Sequence, residues 1–160
     1  MKILKFPDKA LLTKCEDVTV FDDDFDDILQ EMWRLMAESN GMGLSANQVG
    51  ILKNFFIMQG PMYQRINCIN PKILSYDPLM ANQAEACLSA PGEFLTLNRS
   101  SKIILTYKDE YDKENTREFS GIYAVCIQHE IDHLLGKVFF QAEEVPKKAK
   151  KRLNKKWGMI

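Results

Sequence analysis

The sequence predicts an α+β fold, and three observations carry that reading. Several short runs are rich in β-branched or aromatic residues and separated by Pro, Asn, Asp or Gly, as strands are. One early segment repeats apolar residues at helical spacing. One late segment is apolar on nearly every side, which suits a helix buried among those strands. The 160 residues, 46% of them hydrophobic and 27% charged, fit one domain with its own core.

Taken in order, "MKILKFPDKALL" places Pro7 and Asp8 where a secretory apolar segment would continue. "DDFDDILQEMWRLMAES" sets Phe25, Ile28, Leu29, Met32, Trp33 and Met36 on one helical face, with aspartates in the first turn and Asn40-Gly41 as a stop. "GMGLSANQ" (41–48) reads by itself as a glycine-rich turn. "ILKNFFIM", "INCINPKIL", "SKIILTYKD", "TREFSG" and "KVFFQA" read as strands, and "EACLSAPGEF" (85–94) as a loop or strand end. "GIYAVCIQHEIDHLLG" is the buried helix, stopping at Gly136. No internal repeat or linker divides the chain. Residues 1–146 are expected to form a single catalytic domain, with 147–160 a basic tail or helix rather than a separate domain.

Composition narrows the function classes. No run of about 18 apolar residues exists to span a membrane, so a cytoplasmic location is expected. Cys15, Cys68, Cys87 and Cys126 are too few and scattered for a disulfide scaffold, which leaves free thiols or metal ligands. All 22 acidic residues lie at or before Glu144, whereas "KKAKKRLNKKWGMI" holds seven of the 21 Lys and Arg. Such a block is either a solvated helix or a contact for an acidic surface or nucleic acid.

The chemistry concentrates in "QHEIDHLLG" (128–136), which holds both histidines. Positions i and i+4 share a helix face, so His129 and His133 can reach one ion. Glu130 is turned about 100° from His129, which keeps it off the ion yet near enough to act as a base. A catalytic site of this kind takes three protein ligands and one open position. Phe139 stands where the metzincin pattern has its third histidine, and Glu143 and Glu144 adjoin the basic tail. Cys126 lies about 4.5 Å back along the axis from His129, while a shared ion sits about 3 Å beyond it, a gap that a short side chain does not cover. Cys126 therefore packs as a small hydrophobe, and Cys87, approaching from outside the helix, is the better third ligand.

"GMGLSANQ", "EACLS" and "QHEIDHLLG" resemble, in order and approximate spacing, the three signature motifs of peptide deformylases, G-x-G-L-A-A-x-Q, E-G-C-L-S and H-E-x-x-H. With "ILKFPDKALL" the resemblance covers nearly the whole chain. It implies antiparallel sheets surrounding a central buried helix that carries the histidines, flanked by the N-terminal amphipathic and C-terminal basic helices. It also implies that Cys87, His129 and His133 bind metal, that Glu130 is the general acid/base, and that Gln48 and the Leu88 N–H hold the developing oxyanion. Hydrolysis would release formate and a free α-amine from formylmethionyl nascent peptides. Met42, Gly43, Ile122, Val125 and Cys126 would line the methionine slot, with Gly41 and Gly43 letting backbone pass close to the peptide. Glu85, Arg99 and Asp132 would orient the ligands from behind.

The implied ion is Fe(II), with zinc, nickel or cobalt able to substitute. The same resemblance gives the tail a possible ribosomal docking role. Neither DNA nor a membrane is an expected partner, and the chain is expected to be a monomer. Three residues depart from the family pattern. Ala86 replaces the Gly before Cys87, which would strain that backbone if it needs positive φ. Ser45 replaces an Ala, and Phe94 stands where many bacterial members have an Arg beside the groove. The rival functions are an H-E-x-x-H metallopeptidase, which has no use for Gln48 or "EACLS", and a metal-binding homologue with weak catalysis, which does not need Glu130.

Overall fold

A computed structural model describes residues 1–159. The strands are β1 (Gly43–Ser45), β2 (Phe55–Gln59), β3 (Arg65–Tyr76), β4 (Met80–Ala81), β5 (Ala84–Cys87), β6 (Ala90–Thr96), β7 (Arg99–Ser100), β8 (Lys102–Lys108) and β9 (Glu114–Ser120). The helices are α1 (Asp23–Glu38), α2 (Ile122–Leu134) and α3 (Lys147–Lys156). A five-stranded antiparallel sheet runs in the order β1-β2-β3-β8-β9, and β4–β7 and β5–β6 form separate two-stranded antiparallel sheets. No helix among the described residues is long and apolar enough to cross a membrane.

α1 begins where Asp22 accepts a hydrogen bond from the Phe25 N–H at 3.0 Å, with Asp23, Asp24 and Asp26 facing the positive end of the helix dipole. It ends as Asn40 turns to φ 53°. Its apolar stripe, Leu29, Met32, Trp33 and Met36, packs on Phe55, Ile57 and Ile69 of the main sheet. The alternate residues Phe56 and Met58 point the other way, onto a second core with Leu105, Phe119, Ala124 and Ile127. β2 is apolar from Phe55 to Met58 because both its faces are covered there, by α1 on one side and α2 on the other.

"KVFFQA", expected as a strand, is instead a 3-10 turn at Phe139–Gln141. Gly136 turns the chain at φ 71°, and a Cβ there would lie 2.8 Å from the Leu12 carbonyl oxygen. The chain then drops both Phe139 and Phe140 into one core, whereas a strand would send consecutive residues to opposite faces. That third core also holds Phe6, Leu11, Cys87 and Leu97, and α3 closes it through the fully buried Leu153. Arg152 and Lys156 pair with the buried Glu93 of β6. The basic segment is thus a packed helix, with Lys147, Lys148, Lys151 and Lys155 turned to solvent.

Candidate metal centre

α2 is buried on most sides, and its second half carries the two histidines, with His129 6% and His133 1% exposed. Their Nε2 atoms lie 3.2 Å apart, and Cys87 Sγ lies 3.1 Å from His133 Nε2. Cys87 comes from the end of β5, where a register shift after Ala86 breaks the β5–β6 pairing. The three ligand atoms fall within 4.8 Å of one another. Cys126, one helical turn earlier, packs against β1 and the cleft wall instead. Glu144 is occupied elsewhere, accepting from the Asn98 N–H at 2.7 Å.

Ala86 lies in extended strand and has no positive φ, so the strain expected of a replaced glycine does not arise. Its side chain is exposed and lines the cleft.

Behind this cluster, Glu85 Oε2 accepts from His129 Nδ1 at 2.6 Å, which leaves the Nε2 lone pair directed at Cys87 and His133. Arg99 holds Glu85 in a bidentate pair, Nε to Oε1 at 2.7 Å and Nη2 to Oε2 at 3.0 Å, and reaches Asp132 Oδ2 through Nη1 at 2.6 Å. Burial pushes the Glu85 carboxyl up, but the bonds from His129 and Arg99 outweigh it and hold its pKa below the usual range. Asn47 Nδ2 donates to the His133 carbonyl at 2.5 Å, fixing the helix backbone at that histidine.

This donor set fits a divalent ion. Two imidazole nitrogens and a sulfur converge where their lone pairs repel unless a cation stands among them. Burial depresses both histidines, yet the bonds from His129 to Cys87 and Glu85 raise its pKa well above the usual value. His133, with burial reinforced by the charges of His129 and Arg99, falls well below. One positive charge is thus favoured at the vertex and a second disfavoured, which suits a single cation held there. His133 Nδ1 has no hydrogen-bond partner among the described residues.

Glu130, 4% exposed, follows His129. Burial lifts its carboxyl to about 7, against the opposing charge of His129 and bonding from Ser45. Its Oε2 has no hydrogen-bond partner among the described residues. Gln48 enters on the 3-10 turn after β1. Its Oε1 accepts from the Ser45 N–H at 2.9 Å and from the Ser45 hydroxyl at 3.0 Å. That orientation leaves Nε2 to donate to Ser89 Oγ at 3.1 Å, 3.8 Å from Cys87 Sγ. Leu88 follows Cys87, and its carbonyl accepts from Lys5 Nζ.

A cavity of about 530 Å³ opens on this cluster and is lined by Met42, Gly43, Gln48, Cys87, Leu88, Ile122, Val125, Cys126, His129 and Glu130. Val125 is buried, and Ile122 stands half-exposed at the mouth. A Cβ on Gly43 would lie 2.5 Å from Glu130 Oε1 and 2.7 Å from Cys126 Sγ, so only glycine lets β1 pass this close to the carboxylate. Sequence reasoning missed Asn47 and Ser89, both fully buried. Their only trace is polar residues inside otherwise apolar motifs.

A family model described as polypeptide deformylase matches residues 1–150. The peptide deformylase of Prochlorococcus marinus (strain NATL2A) is 35% identical over 158 residues, covering 96% of this chain and 78% of its own. The crystal structure of a peptide deformylase from Synechococcus elongatus in complex with actinonin superposes with a TM-score of 0.89 at 30% identity, covering 98% of this chain and 85% of that one. Peptide deformylase from Thermotoga maritima superposes at 0.83 with 34% identity, covering 87% and 94% respectively.

Proposed function

Since this chain belongs to the peptide deformylase family, we propose residue roles, a metal and a cellular setting for the activity that membership brings. The chain is a metal-dependent hydrolase that removes the N-formyl group from the N-terminal formylmethionine of nascent peptides and releases formate. One observation carries the assignment of roles. Cys87 Sγ and the two Nε2 atoms converge at one point, beside a carboxylate oxygen of Glu130 that has no partner among the described residues.

Cys87, His129 and His133 hold the ion, and the family resemblance favours Fe(II). When bound, it supplies Lewis acidity, polarising the formyl carbonyl and acidifying water. Glu130 takes the proton of the attacking water and delivers it to the leaving amine; a carboxyl lifted to about 7 exchanges protons readily at neutral pH. Gln48 Nε2, oriented by Ser45, and the Leu88 N–H donate to the oxygen on which charge develops. Glu85, held by Arg99, fixes the His129 tautomer. Met42, Gly43, Ile122, Val125 and Cys126 receive the methionine side chain.

Residues 1–146 form the catalytic body, with the basic segment, through α3, packed on it as part of the same unit, acting as a monomer in the cytoplasm. Ribosomal RNA is the partner proposed for the exposed lysines of α3, and their clustered positive charge supports that reading. Removing 147–160 would also remove Leu153 from the core, so docking is better tested by Lys147, Lys148, Lys151 and Lys155→Ala together. Ribosome pelleting should weaken, and unchanged pelleting would defeat docking. The ligand roles are tested by metal content after anaerobic purification. One iron per chain is expected in the wild type and almost none in folded Cys87→Ala or His133→Ala. Full occupancy in those variants would refute the ligand set, and a different sole metal would refute iron.

A further inference from the structure

Leu88 and Ser89 form a two-residue turn between β5 and β6, with Cys87 paired to Ala90 across it. The turn carries the amide read above as an oxyanion donor and the hydroxyl that accepts from Gln48 Nε2 at 3.1 Å. Two-residue hairpin turns are favoured when one or both central residues take positive φ, and neither Leu88 nor Ser89 does. Its conformation is held from outside instead, by the N-terminal segment. Lys5 Nζ donates to the Leu88 carbonyl, and the Phe6 N–H donates to the Ser89 carbonyl at 3.1 Å. The Leu4 N–H donates to the Gln48 carbonyl at 2.7 Å, so three consecutive residues bridge the two arms of the oxyanion site. Phe6 is buried, and its ring faces that of His133 with 6.2 Å between centroids and 19° between planes. Lys5, itself exposed, therefore starts from a fixed backbone and closes the bracket along the cavity wall.

We propose that Lys5 is a positioning residue for the oxyanion site, holding the Leu88 carbonyl so that the Leu88 N–H keeps its direction and its spacing from Gln48 Nε2. The proposal rests on the reading of Gln48 and Leu88 as the two oxyanion donors. Cys87, when it ligates the ion, fixes the chain on one side of Leu88, and Lys5 fixes the carbonyl on the other. An ammonium suits that task, because a charge-assisted bond is about twice as strong as one between neutral groups. With the carbonyl released, the Leu88–Ser89 peptide turns more freely and carries the N–H off line. Donors of this kind act on the charge that develops in the transition state, so misdirecting one slows turnover and leaves ground-state binding of the peptide largely intact. Lys5 is the only Lys or Arg lining the first cavity among the described residues, so direct contact with the peptide is the competing role.

The test measures kcat and KM for formyl-Met-Ala-Ser, with metal content and melting temperature, on metal-loaded wild type, Lys5→Met, Lys5→Arg, Lys2→Met and Gln48→Ala. Lys5→Met keeps the stem and removes the donor. Its kcat should fall about tenfold, less than the roughly 10²- to 10³-fold of a deleted oxyanion donor, with KM within about twofold and with metal content and melting temperature unchanged. Lys5→Arg should recover most of the kcat. Lys2→Met, an exposed lysine in the same segment that does not line the cavity, should match the wild type. The Ser89 amide nitrogen shares its peptide group with the Leu88 carbonyl, so its NMR resonance in the zinc-loaded protein should move in Lys5→Met and far less in Lys5→Arg. An unchanged kcat or an unmoved Ser89 resonance in Lys5→Met overturns the inference. So does a rise in KM at constant kcat, which would make Lys5 a peptide contact, or a loss of activity that follows a fall in melting temperature and is not recovered by Arg. A slow Gln48→Ala beside an unaltered Lys5→Met defeats this inference alone, and a Gln48→Ala with wild-type kcat defeats the oxyanion reading along with it.

Discussion

Arg99→Ala separates the buried support of the metal centre from ordinary surface charge. Arg99 is 8% exposed and closes both oxygens of Glu85, itself 6% exposed, while its third nitrogen reaches Asp132. Truncation leaves Glu85 with His129 as its remaining partner. Asp132 keeps 24% of its side-chain surface in water, so its lost bond is partly replaced by solvent and by Lys137 at 3.6 Å. The cost therefore comes mainly from the stranded buried carboxylate. Removing one partner of such a pair costs about 3–5 kcal/mol, which for a chain of this size lowers the melting temperature by roughly 6–20 °C. Because Glu85 sets the His129 tautomer, metal affinity should fall about 10- to 100-fold as well. Urea denaturation and chelator competition read the two effects. Arg99→Lys should rescue neither fully, since an ammonium does not reproduce the fork. A variant within about 1 kcal/mol of wild type, with unaltered metal affinity, would refute the reasoning.

Gly43→Ala should spare the fold while damaging the site. Its new methyl meets the flexible end of Glu130 at 2.5 Å, so the carboxylate shifts and formate release drops about 100-fold, with stability falling by no more than about 3 kcal/mol; wild-type turnover would contradict this. Leu153→Ala empties a fully buried position in the third core and should cost about 2–5 kcal/mol in denaturant unfolding; a loss under about 1 kcal/mol would show that α3 is not integral. Glu93 is held below the usual carboxylate range, first by its bond to Lys156 and then by Arg152, against the opposing effect of burial. Its folded pKa is depressed, so its contribution is present above the unfolded value of about 4.3 and lost as pH falls through the folded value. Glu93→Gln should therefore cost up to about 1 kcal/mol at pH 7 and progressively less in acid, by urea titration; a cost that grows toward low pH would contradict the pairing.

The two long helices were legible because their apolar content and stops are local: the aspartates in the first turn of α1, Asn40 after it, and Gly136 after α2. The hairpin β5–β6 was not. Ala84, Ala86 and Ala90 are too small to mark a buried face, and Pro91 and Gly92 read as loop punctuation. "KVFFQA" misled because two adjacent phenylalanines signal a strand by propensity, while tertiary packing takes both into one core. In α3, a single buried Leu153 among lysines was too faint to show that the basic block is docked. The site was more legible than the fold around it. The i, i+4 histidines and the reach of a short cysteine side chain are helix geometry, readable without tertiary information. The hydrogen bonds that aim Gln48 through Ser45 and Ser89 depend on distant segments meeting, and no spacing announces them.

The most direct measurement is formate release from formyl-Met-Ala-Ser by metal-loaded wild type and by Glu130→Gln, with metal content determined on both. The wild type should release one formate per peptide. Glu130→Gln should keep its metal, since Cys87, His129 and His133 are intact, and slow about 10²- to 10⁴-fold. Absence of release from the metal-loaded wild type, or release undiminished in Glu130→Gln, would contradict the assignment of this centre as a deformylase site with Glu130 as its proton carrier.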